Sequence, residues 1–153
     1  MYTAALIAHS WLRWVVLVFA VIAIARSIAG ASARRPWNPA DDRAGLLFTI
    51  ALDVQLLLGL LLYFVLSPFT IAALRDFGGA MGNSALRFWA VEHVFGMLVA
   101  IILAHVGRAR VRKTADGLRK HKVAATFYIL SLLALLVSIP WPGMPNGRAL
   151  VRW

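Results

Sequence analysis

The chain contains no cysteine. That excludes disulfides, thiolate metal sites, iron–sulfur clusters and haem attached through cysteine. Acidic residues are scarce, six against 16 Lys and Arg, for a net charge of +10. Residues 1–8 carry neither Lys nor Arg, so the positive start of a cleavable secretion signal is missing. The first apolar stretch is also too long for a signal core, and it is read as a retained span. No His-Glu-x-x-His, phosphate-binding P-loop or Gly-x-Ser-x-Gly pattern occurs, which removes zinc proteases, P-loop hydrolases and serine hydrolases of the elbow type. Glu-x-x-His pairs are absent as well, and with them a carboxylate di-iron centre. No catalytic constellation remains.

What the chain has is apolar length. Hydrophobic residues make up 61% of 153 positions and the mean hydropathy is +0.78. Four runs are long enough to cross a bilayer, which takes roughly 20 residues at about 1.5 Å each. They extend from about Ala4 to Ile28, Leu46 to Leu66, Leu86 to Val106 and Val123 to Ile139. The predicted fold is an all-α, four-transmembrane-helix up-down bundle in one integral membrane domain over 1–153.

The basic residues have a use in that setting. Nearly half of them fall in Arg108–Lys122, the connection between spans 3 and 4, with Asp116 opposing them. The 1–2 connection carries Arg34, Arg35 and Arg43 against Asp41 and Asp42, and Pro36 and Pro39 break its helix. Excess positive charge marks the cytoplasmic side. Both termini are then expected on the outer, periplasmic side of a bacterial cytoplasmic (inner) membrane. The lipid bilayer absorbs the charge, and no nucleic-acid partner is expected. In the 2–3 connection, 69–77 reads as a short interfacial helix, and Gly78, Gly79, Gly82 and Asn83 as a flexible turn.

Ionisable groups at membrane depth need a partner or a task. They are His9, Arg13, Asp53, Glu92, His93 and His105. One reading is structural: a buried polar network in which Glu92 or Asp53 neutralises Arg13 and the histidines bond across the bundle. The other is a b-type haem. Haem in a four-helix bundle takes an imidazole from each of two facing helices. His9 and His93 lie at matched depth, about five to seven residues in from the outer face. Arg13, one turn from His9, or Arg87 at the start of span 3 would meet a propionate. A second haem would use His105, about 18 Å deeper at ~1.5 Å per residue, with His121 at the start of span 4. His121, in Arg-Lys-His-Lys, also reads as a solvated or headgroup-facing side chain. Gly96, Ala100 and Ala104 form a small-residue stripe for close helix packing, and Gly59 reads the same way.

His9-Ser10-Trp11-Leu12-Arg13-Trp14, Arg87-Phe88-Trp89-Ala90-Val91-Glu92-His93 and Ile139-Pro140-Trp141-Pro142 together resemble a family of small bacterial four-helix membrane proteins loosely labelled cytochrome b-like. The resemblance runs over nearly the full length. Similar proteins often carry a span-2 histidine near the position of Asp53, from which this chain departs. The resemblance therefore implies a role for His9 and His93. The leading expectation is a membrane-embedded b-type haem protein passing electrons to a partner or quinone. A haem-free accessory or assembly subunit of a larger membrane complex is the alternative. A small homo-oligomeric transporter, with Asp53 and Arg13 along a wet path, is a third.

Overall fold

The computed structural model describes residues 1–152, and among them every regular element is helical. Helix α1 spans Tyr2–Ser32 and α2 spans Pro39–Leu61. Three short helices follow: α3 (Pro68–Arg75), α4 (Phe77–Gly82) and α5 (Ser84–Arg87). Helices α6 (His93–Lys113) and α7 (Gly117–Ser138) complete the chain. Two wider π-turns, over 62–66 and 88–92, extend α2 and lead from α5 into α6. Four helical stretches are long and apolar enough to cross a membrane: Tyr2–Ser32, Pro39–Leu66, Ser84–Lys113 and Gly117–Ser138. The expected four-helix bundle is therefore present, with spans that run further than the apolar runs alone.

The four long helices form a square. Helix α1 packs on α2 and α7, α6 packs most extensively on α7, and α2 meets α6 along the loosest side. The close side is built by small residues. Ala100 and Ala104 are fully buried. A Cβ at Gly96 would run into the Ser138 hydroxyl, and one at Gly107 into Phe127. The Ser131 hydroxyl crosses to the Ala100 carbonyl at 2.7 Å. The small-residue stripe is thus used inside the chain, against α7, and is not free to meet another subunit.

At the basic end, turn chemistry fixes the first hairpin. Asn38 caps α2 by accepting from the Ala40 and Asp41 amides, and Asp41 returns the bond by accepting from the Asn38 amide, a capping box. Asp41 is only 3% exposed. Arg35 donates to both of its oxygens, at 2.5 and 2.6 Å, and Arg26 Nε donates at 3.0 Å. The bonded carboxylate holds the Arg35 guanidinium above its ordinary range. Arg108 ties α6 to the same helix, donating to the Asp42 carbonyl at 2.9 Å. Phe48 and Tyr128, both buried, meet edge to face at 5.6 Å in the core above.

The opposite end differs from expectation. The helix expected over 69–77 is α3, but the glycines after it continue as α4 instead of a loose turn. Asp76 caps α4 by accepting from the Gly79 amide at 3.0 Å, and Ala73, Ala80 and Ala90 pack beneath. Helix α7 ends at Ser138, and the segment after it folds back over the bundle. Trp11 Nε1 donates to the Arg152 carbonyl at 3.1 Å, Trp14 Nε1 to the Leu150 carbonyl at 3.0 Å, and Arg13 Nη2 to that same carbonyl at 2.5 Å. The start of α1 and the tail therefore share one end of the bundle.

Candidate functional site

Between the four helices, at the tail end, lies an apolar cavity of about 170 Å³, part of it open to the surroundings. His9 from α1 and His93 from α6 both line it. These two helices sit on a diagonal of the square, so the imidazoles approach the space from opposite sides. Both histidines therefore border the same chamber.

Each ring has a defined setting. His93 Nδ1 lies 2.8 Å from the Ser138 carbonyl oxygen. A carbonyl only accepts, so Nδ1 carries the hydrogen and Nε2 of the neutral ring keeps its lone pair. That is how a metal-ligating imidazole is normally held. Phe88 and Trp89, at centroid distances of 5.9 and 5.7 Å, wedge the same ring. The π-turn over 88–92 sets this orientation, since His93 donates its amide to the Phe88 carbonyl five residues back. His9 rests against Gly59 of α2, where a Cβ would sit 3.4 Å from its Cε1. An added Cβ there would be in ordinary van der Waals contact with the ring, so Gly59 is a close-packing position between α1 and α2. His9 Nδ1 is buried with no hydrogen-bond partner among the described residues.

Gln55 was not singled out by sequence reasoning. Its Nε2 donates to the His9 carbonyl at 3.0 Å, and its Oε1 is buried and unpartnered. The signal was present: Gln55 is two residues, about 200° of helix, from Asp53. One of them must face inward if the other faces out.

The cavity's upper wall is cationic. Arg13, Arg148 and Arg152 all line it. Arg13 lies over the Trp14 ring at 5.3 Å, and its Nε is buried without a partner. Arg148 stacks between Phe69, at 5.4 Å, and Trp89, at 5.0 Å. In sequence Arg148 and Arg152 are simply charges in the tail after span 4. Their role depends on the fold-back of the tail, which no periodicity announces.

The other expected groupings do not form. Arg87 is engaged elsewhere, pairing with Glu92 at 2.7 Å and donating to the Met81 carbonyl at 3.2 Å, and it does not line the cavity. The polar network of Arg13, Asp53 and Glu92 is replaced by three separate contacts: Arg13 with the tail, Glu92 with Arg87, and Asp53 with His105 at 2.8 Å. Asp53 is not a lining residue, so it and Arg13 do not border one path. His105 and His121 do not converge either. His105 is about 120° around α6 from His93 and faces α2. His121 is fully buried at the basic end, where it packs on Gly30 and on Trp37 at 4.9 Å. It is neither solvated nor at a headgroup, because Gly30 opens a slot for its ring. Among the described residues no group of three or more His, Asp or Glu converges on a metal position.

Compared with known proteins, the chain matches no protein-family model, no curated protein and no solved structure.

Proposed function

We propose that the chain is a membrane-embedded b-type haem protein that passes electrons to a membrane partner or quinone. The observation that carries this reading is the placement of His9 and His93 on opposite sides of one apolar chamber. When bound, a bis-imidazole haem supplies reversible one-electron transfer. His93, with its tautomer fixed by Ser138, and His9, whose Nδ1 is buried without a partner among the described residues, would hold the iron. Leu52, Leu56, Met97 and Leu135 supply apolar walls that exclude water. Arg13 and Arg148, at the tail end of the chamber, would take the propionates as charge-assisted partners. The crowding of Lys and Arg at the opposite end supports an orientation with the chamber toward the periplasm of a bacterial inner membrane.

The test is a visible spectrum of the purified, haem-supplemented protein. The expected result is a Soret band that shifts on dithionite reduction and is lost in His9→Ala and in His93→Ala, but retained in His105→Ala. A colourless, folded wild-type preparation would overturn the proposal and return the chain to a haem-free accessory subunit.

A further inference from the structure

Asp53 and His105 bond to each other on the outside of the bundle, across the loose α2–α6 side. Their side chains are 48% and 46% exposed. Both lie within stretches apolar enough to cross a membrane, and the surface around them is aliphatic, with Leu57 one turn from Asp53 and Ile102 one turn from His105. Ionisable residues at this depth normally face the bundle interior or a wet cavity. This pair does neither.

We infer that this face is covered by a second copy of the same chain, packed about a two-fold axis that runs beside the Asp53–His105 pair. The reason is complementarity. Within one chain the bond joins Asp53 Oδ1 to His105 Nε2. Asp53 Oδ2 and His105 Nδ1 have no hydrogen bond among the described residues. A two-fold operation brings each unused carboxylate oxygen to the unused ring nitrogen of the other copy, because a symmetric interface presents the same patch twice. The two carboxylates and two rings then form one closed polar cluster, with a carboxylate oxygen facing each ring nitrogen. Polar side chains of this kind join helices in lipid, where apolar contact with a neighbour is no better than contact with acyl chains. The inner small-residue stripe is already consumed by α7, so it does not compete with this pair as a contact for assembly.

The absence of cysteine makes the test clean. Leu57→Cys and Ile102→Cys, introduced singly and reconstituted in phospholipid bilayers at low protein density, are oxidised with copper-phenanthroline. Val137→Cys, strongly exposed on α7, reports random encounter. The expected result is a disulfide-linked dimer at least tenfold more abundant for the first two than for Val137→Cys. Replacing the pair by Asp53→Leu with His105→Leu should reduce that yield at least tenfold. The exchange Asp53→His with His105→Asp should keep it. Where the leucine pair does not fold, Asp53→Asn reads the same point, with at least a threefold drop. Cross-linking no greater than at Val137, cross-linking indifferent to the leucine pair, or a different protein captured at both positions in native membranes would each overturn the inference.

Discussion

Gly30→Ala sets two forces of known sign against each other. In the interior of a helix, Ala is preferred to Gly by about 1 kcal/mol, so at a neutral site the change stabilises. At Gly30, near the end of α1, the added methyl would enter the His121 imidazole, meeting three of its ring atoms. That ring cannot step aside: it is fully buried and backed by Trp37. Overpacking of this kind costs about 1–3 kcal/mol. The expected net effect is a loss of up to about 2 kcal/mol, the propensity gain being offset or outweighed. In a His121→Ala background the obstruction is gone and Gly30→Ala should stabilise by up to about 1 kcal/mol. The coupling between the two positions is then about 1–3 kcal/mol, within the range for contacting residues. Reversible unfolding of all four proteins in mixed micelles, followed by circular dichroism against SDS mole fraction, measures it. If Gly30→Ala has the same effect with and without His121, the slot described for the ring is wrong.

Ser131→Ala removes a buried bond from α7 to α6 and is expected to cost about 0.5–1.5 kcal/mol in the same unfolding assay. Asp41→Ala strips the buried acceptor from Arg26 and Arg35. Because those guanidinium side chains are 36% and 28% exposed, the expected loss is about 1–3 kcal/mol, below the ~3–5 of a fully buried pair. Trp14→Phe deletes one of three donors to the tail. It should raise the rate of proteolysis within 143–152 several-fold, as about 1 kcal/mol of latch is lost, while global unfolding stays within about 0.5 kcal/mol.

Hydropathy determined the spans because lipid leaves a chain so few options, and the depth of His9 and His93 followed from a rise of 1.5 Å per residue. What depth does not give is azimuth. Glu92, Asp53 and Arg13 share a bilayer level closely enough to invite one network, yet the π-turn over 88–92 rotates Glu92 outward to Arg87. Asp53 points away from the chamber while Gln55 points into it. His121 misled for another reason. Its charged neighbours along the chain are on the surface, but its own burial depends on a glycine ninety-one positions earlier. The cationic roof was hidden in the same way, since Arg148 and Arg152 reach the chamber only once the tail has turned back.

The grip on that tail is one-sided. Trp11, Arg13 and Trp14 all reach for main-chain oxygens, at Leu150 and Arg152. A carbonyl is supplied by every residue type, so the identity of these three bonds is written in the first helix. The side chains of Leu150 and Arg152 can drift through mutation without losing those bonds, which leaves Arg152 free to tune the polarity of the chamber's ceiling while the latch over it stays constant.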